Sequence, residues 1–285
     1  MMGMSRDTSL DRFADLIVES CIRQELREDL PAPGISAIEE AYAIQDRIFA
    51  RRTEPGAEAA GWFVAATNAS MRTQLGLKEP YAARWRPRRI VEAPVSPLVI
   101  GPLGAALELE VSFEMAEDLP PRSHPYSEHE VLAAVRTVRP SIEVVITCFA
   151  DWMNQKPLNV IAEGGCDQWL VVGPAVENWQ SLPLDRTPVT LTIDGREAAA
   201  GSTSLVMDGP VSVLHWLANH AATRAGGLRK GQICNTGMCA PVHFTAPGER
   251  ARADFGQLGM IDLDVAATMA TVEDTGDLTS LEDGQ

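Results

Sequence analysis

Three acidic side chains have the types and spacing to hold a metal ion. In the stretch ALELEVSFEM, Ala106 to Met115, Glu108 and Glu110 stand two positions apart among apolar neighbours. A strand sends alternate side chains to opposite faces, so Glu108, Glu110, Ser112 and Glu114 share one side, and Leu107, Leu109, Val111, Phe113 and Met115 the other. Farther on, SIEVVIT places Glu143 between Ile142 and Val144, in an apolar run of the kind found in strands covered on both faces. An ionised carboxylate left alone there costs several kcal/mol, so it must meet a cation or keep a proton. Glu108 and Glu110 would lie about 6.6 Å apart along a strand, within reach of one ion, and Glu143 could add a third oxygen from a neighbouring strand. Carboxylates without nearby His or Cys suit a hard divalent cation, Mg2+ or Mn2+, which keeps positions open for water or substrate. The same spacing also suits a solvated acidic face with Glu143 paired to an arginine, and spacing alone leaves both readings open.

The chain that must position these acids has 285 residues, 45% of them hydrophobic and 6% aromatic, enough for one large domain or two smaller ones. A formal net charge of -15 argues against nucleic acid and anionic membrane surfaces, which need clustered Lys and Arg, and leaves small molecules or other proteins as partners. Cys21, Cys148, Cys166, Cys234 and Cys239 are scattered and form no C-x-x-C pair. That spacing suggests neither a disulfide framework nor a thiolate zinc site and fits a reducing compartment. With no leader-like apolar core at the N-terminus and no run of about 18 apolar residues, a soluble cytoplasmic protein is expected.

The pattern from Leu10 to Arg52 is helical, with Leu16, Ile17, Cys21 and Ile22 on one stripe and Ala41, Ile44, Ile48 and Phe49 on a second, separated by the proline turn DLPAPG. From Gly61 the texture changes: GWFVAAT, IVEAPVSPLVIG, LELEVSFEM and SIEVVIT read as sheet. SEHEVLAAVRTV opens with Ser127 three residues before Glu130, a capping-box spacing, and is expected to be a helix with Val131, Val135 and Val138 on one face. A hairpin turning at Asp194 and Gly195, a helix ending at Gly226 and a last strand region in ADFGQLGMIDLDV follow. The expected organisation is a helical region over 1–60, a mixed β domain over 61–265 and an acidic, disordered tail over 266–285.

The succession AYAIQDRI, GWFVAATNASMRTQLGL, LELEVSFEMAEDLPPR, SIEVVITCFADW, DQWLVVGP, HWLANHAATRAGGLRKGQI and ADFGQLG resembles the 2-keto-4-pentenoate hydratase branch of the fumarylacetoacetate hydrolase superfamily, over roughly residues 10 to 262. The resemblance implies an α+β fold, a mixed β-roll or sandwich core behind an N-terminal helical part. It also implies an Mg2+ or Mn2+ site made by the E-x-E strand and a later Glu, positions that match Glu108, Glu110 and Glu143. In that family the ion holds the carboxylate and 2-oxo or 2-hydroxy oxygens of a dienoate acid. Hydratases, decarboxylases, C–C hydrolases and tautomerases share the scaffold, so fold alone does not choose among them. Relatives generally form homo-oligomers, and a non-catalytic assembly partner of a related enzyme is the rival of another class.

This chain departs from its relatives around the ion. Where they usually read Lys, in GWKIAATS or GYKIGLTS, it has Phe63; where Asp-Ser-Arg follows the third ligand, it has Ile146, Thr147 and Cys148; and Ala-Asp-Asn becomes Ala162, Glu163 and Gly164. The expectation is a retained electrophilic centre in a more apolar pocket, suited to a bulky or aromatic 2-oxo acid of aromatic catabolism, with hydration, decarboxylation, C–C cleavage, isomerisation and cyclisation as candidate reactions. Tyr81, Glu163 and His243 are the candidate proton-transfer groups. Phe63, Thr67 and Thr236 are the candidate substrate contacts, Thr67 by its match to the Thr of the relatives' AATS and Thr236 by a loose match to their Thr-Gly segment.

Overall fold

A computed structural model describes residues 6–267. Helix α1 (Arg6–Arg23) buries Leu10, Phe13, Ala14, Ile17 and Cys21, a stripe at helical period; Ile22, expected on that stripe, falls a quarter-turn beyond Cys21 and is exposed. Helix α2 (Ile38–Arg51) buries Ala41, Ile44 and Ile48 as expected, together with Tyr42 and Gln45. Arg47 and Arg51 tie the two helices together through Asp11 and Asp15.

Strand β1 (Gly61–Ala65), the short helix α3 (Ala69–Leu75) and strand β2 (Tyr81–Trp85) come next, β2 pairing antiparallel with β1. The stretch IVEAPVSPLVIG yields β3 (Ile90–Glu92) and β4 (Val95–Ile100), which enter different sheets. β4 is an edge strand, where Pro97, lacking an N–H, is tolerated. The two longest strands, β5 (Ala105–Met115) and β6 (Val135–Val145), pair antiparallel along nearly their whole length. Between them α4 (Glu128–Ala133) opens with the expected capping box of Ser127 and Glu130 but stops at Ala133. Val135 and Val138 belong to β6, opposite Met115 and Phe113. Their spacing suits either element, and the long ladder with β5 favours the β-branched Val135, Thr137 and Val138 as strand.

Helix α5 (Pro157–Glu163), strands β7 (Trp169–Val172), β8 (Pro188–Ile193) and β9 (Arg196–Ser202), helix α6 (Pro210–Arg224) and strands β10 (Ile233–Asn235), β11 (His243–Thr245), β12 (Arg250–Asp254) and β13 (Met260–Ala267) complete the order. The β8–β9 hairpin turns at Asp194 and Gly195 as expected, with φ of 49° and 78°. Two consecutive positive φ values are what a two-residue turn matched to strand twist requires. The last strand runs through Ala267, past the expected boundary at 265. The acidic tail beyond it lies outside the described residues.

The large sheet runs β2-β1-β10-β5-β6-β7-β3, with β11 added against β5; the smaller runs β4-β13-β12-β8-β9. Two cores cover the two faces of the large sheet. Trp62, Val64, Leu107, Leu109, Val111, Phe113, Ile142, Val144 and Val171 meet the smaller sheet and α6. Phe63, Tyr81, Ala83, Trp85, Leu170 and Val172 face the other way and meet α1, α2 and α5. This is the expected α+β arrangement of a mixed β core behind a helical N-terminal part. Among the described residues no helix is long and apolar enough to cross a membrane.

Candidate metal centre

The register of β5 against β6 sets Glu108 directly opposite Glu143 and Glu110 opposite Ser141. Paired residues on adjacent strands point to the same face. Glu143 in turn lies opposite Leu170, so the carboxylate row occupies the face that α1, α2 and α5 cover. Glu110 and Glu143 are buried, and Glu108 is partly open.

A third strand brings the polar partners. β10 sits between β1 and β5, with Asn235 opposite Ser112 on one side and Phe63 on the other. Asn235 Nδ2 donates to Glu110 Oε2 at 2.8 Å and to Glu143 Oε2 at 2.6 Å, while its Oδ1 accepts from Trp85 Nε1 at 2.7 Å. An indole N–H can only donate, so Trp85 fixes which end of the Asn235 amide faces the acids. The Gly237 N–H adds a bond to Glu110 Oε2 at 2.6 Å. Gly237 has φ +95°, and a Cβ there would lie 2.0 Å from Thr67 Oγ1, so both backbone shape and space call for glycine. Below the acids, Ser112 Oγ donates to Ser141 Oγ at 2.7 Å.

Among the described residues, none of the three acids forms an ion pair. Burial pushes the Glu108 carboxyl up; burial and then Glu108 push Glu110 up; burial and then Glu110 and Glu108 push Glu143 well above the usual carboxylate range. The alternative of Glu143 paired with an arginine is thereby excluded. An all-oxygen, charge-rich set with amide donors fits a hard divalent ion, whose charge would offset the burial and mutual repulsion that raise the proton affinity of the row. The trio shares a face without its oxygens all lying within 4.8 Å of one another; among the described residues the group that meets that distance is Cys21, Cys148 and Glu163. The strands thus set the row, and side-chain torsions must draw it around an ion.

The other expected site residues divide. Phe63 does lie on the carboxylate side, its ring 5.3 Å from that of Trp85. Tyr81 is buried on the same side, and its phenol is pushed up by burial and then by Glu143, Glu108 and Glu163. Thr67 is buried against Gly237. Glu163 ends α5 with both oxygens engaged, Oε2 by Thr147 Oγ1 and Oε1 by the Cys148 N–H, each at 2.7 Å.

Two expectations fail. His243 pairs opposite Leu107, which puts it on the other face of the large sheet from Glu108, and its Nε2 lies 3.0 Å from Glu249 Oε2. Thr236 donates its hydroxyl to the Val111 carbonyl at 2.8 Å and so buttresses β5 rather than facing substrate. The residues that sequence reasoning missed are its neighbour Asn235 and, behind that, Trp85. The usable signal was a polar residue closing the short run Ile233, Cys234, Asn235, one position ahead of the segment that drew attention.

Comparison with known proteins agrees with this architecture. The family described as fumarylacetoacetate (FAA) hydrolase C-terminal matches residues 70–266, a span that holds Glu108, Glu110, Glu143 and Asn235. The chain is 26% identical over 237 residues to 2-keto-4-pentenoate hydratase of Paraburkholderia xenovorans (strain LB400), covering 83% of this chain and 86% of that protein. It is 24% identical over 271 residues to a 4-oxalocrotonate decarboxylase of Pseudomonas sp, covering 88% and 96%. The solved 4-oxalocrotonate decarboxylase of Pseudomonas putida G7, complexed with magnesium and adipate, superposes with a TM-score of 0.81 at 20% identity, over 92% of this chain and 99% of that one. With two thirds of its length matched by one family and its strands in that family's fold, the chain belongs to the fumarylacetoacetate hydrolase family.

Proposed function

We propose that this protein is a divalent-metal-dependent lyase, hydratase-like, acting on a 2-oxo or 2-hydroxy dienoate acid, with Glu108, Glu110 and Glu143 holding Mg2+ or Mn2+. The observation that carries the reading is the row of three carboxylates on one covered sheet face, two of them held by Asn235 and none in an ion pair among the described residues. When bound, a hard divalent ion supplies Lewis-acid withdrawal of charge from the oxygens of such an acid. Asn235 and the Gly237 N–H fix Glu110, and Asn235 fixes Glu143, so these carboxylates are held for ligation rather than for proton transfer.

Tyr81 is the protonic group of this site. Burial and then Glu143, Glu108 and Glu163 push its phenol up, so it keeps its proton and can offer it as a hydrogen bond to a bound acid. Thr67 is a substrate contact beside Gly237, and Phe63 with Trp85 forms an apolar wall that excludes water and suits a bulky or aromatic acid. The same wall favours a second reading, decarboxylation, because an aromatic ring at Phe63 removes an ammonium that could assist proton transfer, and loss of carbon dioxide asks less of protein acids. We place the enzyme in the cytoplasm, in aromatic catabolism, as a homo-oligomer; its buried, unbridged cysteines support the reducing compartment.

Incubating the purified protein with Mg2+ and a panel of 2-oxo and 2-hydroxy dienoates, with products followed by mass, tests the proposal. Gain of one water supports hydration, and loss of carbon dioxide supports the second reading. Absence of turnover in protein that demonstrably binds Mg2+ would favour a non-catalytic assembly partner instead.

A further inference from the structure

The three cysteines that sequence reading left scattered converge. Cys21 comes from the last turn of α1, Cys148 from the segment after β6 and Cys166 from the loop after α5; all are buried. Interaction with Cys148 and then burial push the Cys21 thiol well up, and Cys166, which also acts on it, is buried just outside the group of ligand atoms that lie together. Ligand atoms of Cys21, Cys148 and Glu163 all lie within 4.8 Å of one another. The segments that carry them are already fastened: the Arg27 N–H donates to the Cys148 carbonyl at 2.7 Å, the Ala150 N–H to the Arg27 carbonyl at 2.9 Å, and the Cys148 N–H to Glu163.

A second feature points to an anionic occupant. Arg89, Arg86 and Arg52 crowd one carboxylate, Asp167, at 2.7, 3.5 and 3.2 Å, the residue directly after Cys166. Arg86 also donates to the Cys166 carbonyl at 2.7 Å, and Arg89 Nη1 is buried with no partner. Three guanidiniums against one carboxylate leave two positive charges largely removed from water. That surplus costs free energy unless negative charge lies beside it.

We propose that Cys21, Cys148, Cys166 and Glu163 form a second metal site, for Zn2+. Three thiolates and a carboxylate around Zn2+ carry two net negative charges, which match the neighbouring surplus. Thiolate sulfur and one carboxylate oxygen are ordinary tetrahedral zinc ligands, and four protein ligands close the site against substrate. Each thiol that ligates gives its proton to solvent as the ion enters, so affinity rises with pH. Bound there, Zn2+ would staple α1 to the end of β6 and to α5. The inference is independent of the carboxylate row, which takes oxygen ligands only and lies on other residues.

The experiment is Co2+ titration of the full-length protein, reduced, stripped by chelator and held in excess Mg2+. The expected result is one equivalent of tetrahedral Co2+ with a sulfur-to-cobalt charge-transfer band, displaced by Zn2+. The band should weaken, with lower Co2+ affinity, in Cys21→Ser and in Cys148→Ser, be lost when Cys21, Cys148 and Cys166 are all replaced by Ser, and be kept in full in Glu108→Gln and Cys234→Ser. No thiolate band in the wild type, or a band of wild-type intensity and affinity in the serine variants, overturns the proposal. Should the serine variants fail to fold, zinc-edge X-ray absorption of the Zn2+-loaded wild type decides: sulfur scatterers with one oxygen support the site, and oxygen or nitrogen alone overturns it.

Discussion

Replacing Asn235 by alanine should disable the metal centre without touching a ligand. Its amide makes three buried bonds, one from Trp85 and two to the acids. Alanine leaves Trp85 Nε1 buried with no acceptor, which costs about 1–3 kcal/mol of stability. The freed Glu110 and Glu143 oxygens lose the donor that fixes their torsions, and loss of such an orienting bond lowers metal affinity by roughly 10–100-fold, or about 1.4–2.7 kcal/mol. Calorimetric Mn2+ titration reads the second effect and urea denaturation of chelated protein the first. A companion variant separates them: Trp85→Phe on top of Asn235→Ala removes the orphaned N–H, so it should recover part of the stability and none of the affinity. Mn2+ affinity within twofold of wild type in Asn235→Ala, or its recovery in the double variant, would refute the orienting role.

Glu143→Gln should abolish Mn2+ binding while the chelated protein melts no lower at alkaline pH than the wild type, since one buried charge has been removed; a wild-type Mn2+ isotherm would take the residue out of the site. In chelated wild type, the buried acids hold protons more tightly folded than unfolded. Their contribution to stability is therefore full below the ordinary carboxylate pKa of about 4.3 and is lost as pH rises through the elevated folded values of Glu108 and Glu110, up to about 8. Saturating Mg2+ should flatten that loss, and denaturation curves that are already flat from acid to neutral pH without metal would contradict it. Gly237→Ala, strained at φ +95° and pressed on Thr67, should cost roughly 1–3 kcal/mol and weaken Mn2+ binding, read by melting and titration. Tyr81→Phe should keep the Mn2+ isotherm and lower turnover by roughly 100-fold or more; an unchanged rate removes the phenol from proton transfer.

Local periodicity made much of the fold legible. The expected α1 stripe holds at Ile17 and Cys21, which are buried, and slips at Leu16 and Ile22, which are half-buried and exposed; Asp194–Gly195 can hardly be anything but a tight hairpin turn. It failed at Val135 and Val138, where the same apolar spacing serves a helix face or a strand and only pairing with β5 decides. That Glu108 and Glu110 share a face was readable because side chains alternate along a strand, and Glu143 stood out as charge in an apolar run. His243 was not, because its face follows from pairing opposite Leu107, a contact between segments more than a hundred residues apart. The convergence of Cys21 and Cys148 on Glu163 is hidden for the same reason: each cysteine is an unremarkable buried thiol until the chain folds.

That dependence on distant pairing is what turns an acidic strand into a candidate metal centre. β10 enters the sheet between β1 and β5, parallel to the first and antiparallel to the second. Without it, one side of β5 near Ser112 would lack its ladder partner, and Glu110 would sit beside a wet edge at an ordinary proton affinity. Inserting three residues, Ile233 to Asn235, covers that edge, places Asn235 and Gly237 against Glu110 and draws Trp85 in behind them. The acids then exchange water for two fixed donor groups and each other, and their proton affinity rises. The cation-binding potential of the row is therefore a property of the completed large sheet rather than of the E-x-E strand. An isolated β5–β6 hairpin would carry all three carboxylates and still lack the buried field that makes a divalent ion favourable.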